Sequence, residues 1–471
     1  MDTTSKLILL TMLALCAVAA APSSVPLPRD ENIYFLMGRE VLRGSVPYRD
    51  FFFAHPPVML YVLAGAFMVL GTTWWVGTLV ATVVNVGLLL GCFSIARRCY
   101  GVRGGLLATA LLLGSRVLLE VGQTDGNALS LLFCVLALER HMAKRPFTAG
   151  ALCGTAVLTK LFAVVAVPAI LIDLYLSPER RRDAQRFVLG IAAVVLPVSL
   201  TFATIAGYGP VLDSVVFYHL QKEPFTFEAR AAVLATFLGT NTLVVVAGAI
   251  ALWRLPDRPR TLVAFLILAT VLVLGQRRLV YPYLIYPLLA CAALGGGLLE
   301  MVVERGGALR TIVIVALIAS IAWSSVAYNL ARQGQPVYSR AILDIAREVR
   351  ESTVPDERIS GHSTATTAVA FIADRRMSGN VMDTNYERIA SGVLSGNDLV
   401  RAVEADRARY LVLKASRIPI DGRPRYSFAG IALDEDFRQF ALEQYVGVLE
   451  RPLGQYDVLL LLERRAGSGP T

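Results

Sequence analysis

Apolar runs separated by short polar turns fill the first two thirds of the chain, and the turns alternate in character. Residues 7–21 form the first run, behind Lys6, and the 17–22 segment Ala-Val-Ala-Ala-Ala-Pro is similar to a signal-peptidase site. A cleaved signal would start the mature chain just before Asp30, whereas an uncleaved anchor would hold Asp30 at the membrane surface. The anchor is favoured, because many more apolar runs and an acidic loop follow. Either way the loop is exported.

Residues 58–70 make a run of thirteen before Gly71-Thr72-Thr73, short for a span and suited to an interfacial or re-entrant helix. Residues 74–96 predict a full span that ends at Arg97, Arg98 and Arg103, which mark the cytoplasmic side. Four short runs follow, at 106–119, 128–138, 147–158 and 162–176. Their turns carry Arg140, Lys144 and Arg145, then Lys160, then Arg180, Arg181, Arg182 and Arg186. Short spans with polar tips predict a bundle with a wet cavity on its outer side. Residues 187–206 go out, 208–230 form a second external loop with His219, Lys222 and Glu223, and 233–253 return to Arg254, Arg258 and Arg260. Runs at 261–275, 281–299 and 311–328 complete about eleven spans, with the N-terminus inside and the tail outside.

The first long polar interruption, residues 29–57, is the stretch around which the rest is arranged. Asp30 and Glu31 open an amphipathic run with Ile33, Leu36, Met37 and Val41 on one face, ended by Gly44 and Pro47. The pattern predicts a helix lying along the membrane surface. Its two carboxylates could meet a lipid-borne and a water-borne substrate together. Equally, Asp30 is a favourable N-cap and Glu31 suits the positive end of a helix dipole, with no chemistry implied.

Beyond residue 336 the composition becomes that of a soluble domain. Helical stretches at 340–350, 397–408 and 434–444 alternate with strand-like runs such as 410–413 and 458–462, predicting a small α/β domain over 336–471. It carries no dinucleotide fingerprint, no phosphate-binding loop and no nucleophile motif, and His362-Ser363 reads as a turn rather than a dyad.

Composition agrees with the pattern. Of 471 residues, 55% are hydrophobic and 17% charged, with a mean hydropathy of +0.57, which fits a multi-pass membrane protein and no soluble class. The formal charge of +9 resides largely in turns that follow the positive-inside rule, so nucleic-acid binding is not implied. The six cysteines lie in or beside apolar runs, with no disulfide framework or metal-binding spacing.

Ionisable residues at span tips are the candidates for chemistry. Asp125, in Gln-Thr-Asp-Gly-Asn, is an external carboxylate or a loop former. Glu120 lies one turn from Arg116, predicting an i,i+4 ion pair. Lys160 is a snorkelling tip or an anion ligand. Arg277 and Arg278 sit on the outer side against the charge rule, followed by Tyr281, Tyr283 and Tyr286. Adjacent guanidiniums beside aromatic rings suit a phosphate with a greasy tail. A carboxylate that deprotonates an acceptor hydroxyl, with cations that stabilise a departing phosphate, suits group transfer from a lipid phosphate.

Asp30-Glu31, Gly44-x-x-Pro47-Tyr48-x-Asp50, His55-Pro56-Pro57, Thr124-Asp125, Leu158-Thr159-Lys160 and Tyr283-x-x-Tyr286-Pro287 together resemble the type C glycosyltransferases related to protein O-mannosyltransferases and the lipid A aminoarabinose transferase. The resemblance covers roughly residues 7–330. It implies an integral membrane enzyme that takes a sugar from a polyprenyl-phosphate donor on the outer face with inversion. It maps the catalytic aspartate onto Asp30 and a second acidic position onto Asp125. Many relatives have Lys-Pro-Pro where this chain has His55-Pro56-Pro57, so a lysine contact to the donor phosphate is lost there or made by an imidazole.

The expectation is therefore a polytopic α-helical membrane protein with a transmembrane domain over 1–335, an exported first loop over 22–73 and an extracytoplasmic domain over 336–471. Catalytic candidates are Asp30, Glu31 and Asp125. Substrate-binding candidates are His55, Lys160, Arg277, Arg278, Tyr281 and Tyr286. No metal ligands are assigned, although a divalent metal is compatible. The partners are a polyprenyl-phosphate-linked sugar and an acceptor that is protein, lipid or glycan. A transporter or flippase for a lipid-linked glycan is the alternative.

Overall fold

The computed structural model describes residues 1–19, 25–26, 29–120, 126–177, 180–256, 258–330, 335–420, 423–428, 434–453 and 457–466. Its packing divides the chain into two compact units, one of residues 1–22, 78–201 and 224–331, the other of residues 23–77, 202–223 and 332–471.

Long apolar helices dominate the first unit. Among the described residues five helices are long and apolar enough to cross a membrane: Trp74–Leu113, Arg181–Ala206, Phe227–Arg254, Tyr281–Glu304 and Gly307–Leu330. Shorter apolar helices accompany them, including Thr3–Ala19, Pro146–Thr159, Leu161–Leu176 and Arg260–Leu274. The first long helix is two helices joined at Gly101, whose φ of 80° is open to glycine at little cost. That break falls among Arg97, Arg98 and Arg103, where the charge pattern predicts a turn. The Pro146–Thr159 and Arg181–Ala206 helices meet at glycines. A β-carbon on Gly150 would collide with the carbonyl of Phe187, and one on Gly190 with that of Phe147. Backbones this close are the small-residue packing by which apolar helices associate without a hydrophobic gradient.

A second helix break occurs at Asn241 (φ −130°, ψ 20°) within Phe227–Arg254. The Asn241 amide donates to the Phe237 carbonyl at 2.9 Å and to the Tyr281 hydroxyl at 3.1 Å, so the interrupted ladder is satisfied by side chains. Arg116 and Glu120 form the predicted ion pair at 3.0 Å.

In the second unit the helix Glu31–Leu42 is buried at every position from Glu31 to Glu40. The amphipathic pattern predicts one apolar face, yet protein covers the other face as well. Its apolar face packs on the helix Val58–Leu70, and its polar face is covered by the helix Ser363–Ala373. Polar residues that the periodicity assigned to water find protein partners instead. Arg39, 1% exposed, donates to Glu40, Asp374 and the carbonyls of Ala370 and Arg375.

The C-terminal part of this unit is a mixed sheet of β1 (Arg358–Gly361), β2 (Arg376–Met377), β3 (Tyr410–Ile420), β4 (Arg423–Phe428), β5 (Tyr445–Pro452) and β6 (Asp457–Arg464). The strand order is β2-β1-β3-β6-β5, with β4 paired to β3. β1 runs parallel to both β2 and β3, and the remaining pairings are antiparallel. In register, Leu411 faces Leu462 and Leu413 faces Leu460. Leu411, Leu413, Leu460 and Leu462 bury one face against Leu399 and Val403 of the helix Gly396–Ala405 and Phe437 and Phe440 of the helix Glu435–Gln444. A capping box of Ser395 and Asp398 starts the first of these helices, and Asp434 caps the second.

Candidate functional site

Within the second unit, Asp30 stands at the head of the Glu31–Leu42 helix with backbone angles already helical (φ −65°, ψ −17°), and its side chain makes no capping bond. An N-cap needs an extended backbone so that its oxygen can turn back on the first turn. The carboxylate is therefore not engaged as a cap. The Glu31 side chain beside it is buried, at 2% exposure. Asn32 fixes this helix start to the C-terminal segment, donating its amide to the Thr364 carbonyl at 2.6 Å. Tyr338 donates to the same carbonyl at 3.3 Å.

The loop after this helix is shaped by Pro47-Tyr48-x-Asp50. The Asp50 carboxylate accepts from the Val46 amide at 2.7 Å, and Tyr48 adopts φ 68°, a strained value for a side chain of its size. The strain directs the Tyr48 hydroxyl to the His55 carbonyl at 2.6 Å. His55 then stacks on Tyr34 at 6.3 Å and on His219 at 5.2 Å, while His219 Nε2 meets the Ala54 carbonyl at 2.6 Å. The His-Pro-Pro imidazole is thus held between aromatic planes.

The C-terminal segment adds residues to which the sequence reading gave no role. His362 follows β1 and heads the Ser363–Ala373 helix. Burial, aided by Lys414, pushes its imidazole down to about 4, so it is neutral at physiological pH. Ser363 donates to Asn385 at 2.6 Å and Thr384 to the Gly361 carbonyl at 2.8 Å, tying residues 384–385 to the same turn. Burial raises the Asp383 carboxyl above the ordinary range against the opposing pull of Arg388 and Lys222. A sequence-level signal existed only for His219 and Lys222, as charges in an exported loop.

In the first unit, Lys160 ends the helix Pro146–Thr159 in extended conformation and is 3% exposed, with Nζ 5.4 Å from the centre of the Tyr283 ring. Tyr283 packs on Phe162 at 4.3 Å. Lys160 is therefore a buried cation against an aromatic wall and not a snorkelling tip. Arg277 is exposed, and the Arg278 guanidinium lies 4.7 Å over Phe225. The Tyr281 hydroxyl joins Thr240 at 2.9 Å and Asn241, and Arg116 lies 5.7 Å from its ring. Tyr286 is fully buried, its hydroxyl against Ser130 and the Asn127 carbonyl. Asp125 lies outside the described residues. Among the described residues no three His, Cys, Asp or Glu side chains gather as metal ligands.

Comparison with known proteins gives a consistent result. Residues 54–205 match the sequence model of the dolichyl-phosphate-mannose-protein mannosyltransferase family. The fold is that of ArnT from Cupriavidus metallidurans, solved bound to undecaprenyl phosphate, with 12% identity, a TM-score of 0.69 and full coverage of both chains. The oligosaccharyltransferase of Archaeoglobus fulgidus, solved with Zn and sulfate, aligns over 94% of this chain and 79% of its own, with 12% identity and a TM-score of 0.61. The same archaeon's AglB, in complex with an inhibitory peptide and a dolichol-phosphate, aligns over 96% and 80%, with 13% identity and a TM-score of 0.59. No curated protein sequence matches the chain. The resemblance to type C glycosyltransferases that the motifs carry is thus met again in the family match and in the fold.

Proposed function

We propose, from the fold and family match shared with the type C glycosyltransferases, that this chain is a membrane glycosyltransferase that moves a sugar from a polyprenyl-phosphate donor to an acceptor on the extracytoplasmic face. The observation that carries the proposal is the ArnT-like fold over the whole chain, in which Asp30 stands at the head of the Glu31–Leu42 helix. As general base it takes the proton of the acceptor hydroxyl while that oxygen attacks the anomeric carbon. The bond from that carbon to the phosphate oxygen breaks on the opposite side, so the configuration inverts. The leaving polyprenyl phosphate carries away the electron pair. Lys160, Arg277 and Arg278 are the cations proposed to stabilise that charge, with Asp125 and Glu31 supporting the acidic side. His55, stacked between Tyr34 and His219, replaces the lysine of many relatives with a flat donor whose charge varies with pH. Tyr281 and Tyr286 shape the surroundings of these groups through the buried bonds described above.

On this reading the N-terminus lies in the cytoplasm and the first loop and C-terminal segment outside, which the positive-inside pattern of the arginine-bearing turns supports. Mass spectrometry of lipid-linked sugars and glycoconjugates in a deletion strain tests the transfer reading. Loss of the glycoconjugate with accumulation of the donor on the outer leaflet is expected. Accumulation confined to the inner leaflet would instead identify a flippase.

A further inference from the structure

Three arginines of the second unit are buried among the described residues: Arg39, Arg375 and Arg388. The first two have every guanidinium nitrogen bonded. Arg39 Nε donates to Glu40, Nη1 to Ala370 and Nη2 to Arg375. Arg375 Nε donates to Thr353, Nη1 to Ala373 and Nη2 to the Thr353 carbonyl. Arg388 differs. At 9% exposure its Nη1 donates to the Asp383 carbonyl at 2.7 Å, while Nε–H is buried with no acceptor. A buried donor left unmade costs stability, so this is a costly way to build a purely structural arginine.

The surroundings are those of a binding residue. The Arg388 guanidinium lies 4.2 Å over the ring of Phe52, in the first loop. Phe52 packs edge-on against Tyr218 at 5.2 Å, and Lys222 Nζ lies 4.5 Å over Tyr218 on its other contact. Three segments distant in sequence thus bring two cations together on a pair of aromatic rings. Asp383 is near enough to both for each to act on its carboxyl. A guanidinium stacked flat, with an unused N–H edge and a second cation nearby, matches the fork geometry that takes two oxygens of a phosphate.

We propose that Arg388, supplied by the C-terminal segment and stacked on Phe52, binds a phosphate group together with Lys222. This rests on the reading of the chain as a user of polyprenyl phosphate and adds to it a phosphate ligand from outside the region that carries the motifs. The phosphate is either the lipid headgroup or a free phosphate, and the two arms of the test distinguish them.

Binding of undecaprenyl phosphate and, separately, of inorganic phosphate is measured on the detergent-solubilised full chain by ligand-induced shift in melting temperature. Wild-type protein should be stabilised, Arg388→Gln should bind at least tenfold more weakly, and Arg388→Lys, which keeps the charge and the ring contact but loses the fork, should fall between them. Stabilisation by the lipid alone assigns the headgroup, and stabilisation by both assigns any phosphate. If Arg388→Gln does not fold, Arg388→Lys carries the test, with a loss of at least threefold expected. Wild-type affinity for both ligands in the folded variants would overturn the role of Arg388 while leaving the transferase reading intact. No binding by the wild type would overturn both.

Discussion

The side-chain amide of Asn32 donates to the backbone carbonyl of Thr364 at 2.6 Å, joining the start of the Glu31–Leu42 helix to the first turn of the Ser363–Ala373 helix, more than three hundred residues later. The bond is partly buried, and Thr364 also receives the Tyr338 hydroxyl. Asn32→Ala should therefore cost about 1 kcal/mol or more, the scale of a lost buried hydrogen bond. It should also lower turnover if the start of this helix, two residues from Asp30, shifts with the lost bond. Melting temperature and transfer rate measured on one preparation check both effects.

Arg39 makes a stronger version of the same connection. It is almost fully buried, and burial opposes its charge, which Glu40 beside it supports. Arg39→Leu would take from the buried Glu40 carboxylate its nearest cation and from the Ala370 and Arg375 carbonyls their donor, at a cost on the order of 3 kcal/mol. Arg39→Lys retains the charge but cannot reach its several acceptors at once, and should lie between wild type and Arg39→Leu. Limited proteolysis should show the cleavage rate of the C-terminal segment rising in that order.

Several of these connections were invisible in the sequence for a physical reason. Periodicity reports which face of a helix is apolar, and for residues 58–70 it places the helix where the structure has it, Val58–Leu70. It cannot report that a polar face will be covered by protein, so nothing in the pattern of Glu31–Leu42 announces that Asn32, Arg39 and Glu40 are buried. The i,i+4 spacing of Arg116 and Glu120 was sufficient because that contact is local. Arg388 and Phe52 meet only through tertiary structure, and nothing in either neighbourhood marks them. Tyr283 and Tyr286 share one motif, yet one faces Lys160 and the other is fixed in the core by Ser130.

His362 gives the C-terminal segment an acid sensitivity of predictable sign. Its folded value, about 4, lies below the ordinary histidine value near 6.5, so the unfolded chain binds a proton that the folded chain refuses. Stability is then full above the unfolded value, falls as pH drops from about 6.5 towards 4, and levels off below, a loss on the order of 3 kcal/mol. His362→Asn should flatten that part of a melting-temperature profile taken from pH 7 to pH 4. An unchanged slope would assign the sensitivity to other groups.

Gly150 and Gly190 test the packing of the apolar helices. A side chain at either position has no room against the facing carbonyl. Gly150→Leu should force the Pro146–Thr159 and Arg181–Ala206 helices apart and lower the yield of monodisperse protein, whereas Gly150→Ala should be milder. Size-exclusion profiles in detergent distinguish the two.

The central claim is that Asp30 acts as a base. Asn caps a helix about as well as Asp and matches it in size, so Asp30→Asn removes the basicity while keeping the shape of the helix head. Purified Asp30→Asn protein is to be assayed for sugar transfer from a polyprenyl-phosphate donor, beside Glu31→Gln and wild type. A fall of roughly a hundredfold or more in turnover, with donor binding retained and Glu31→Gln milder, is the predicted result. Near-normal turnover in folded Asp30→Asn protein would contradict the assignment of Asp30 and the mechanism built on it.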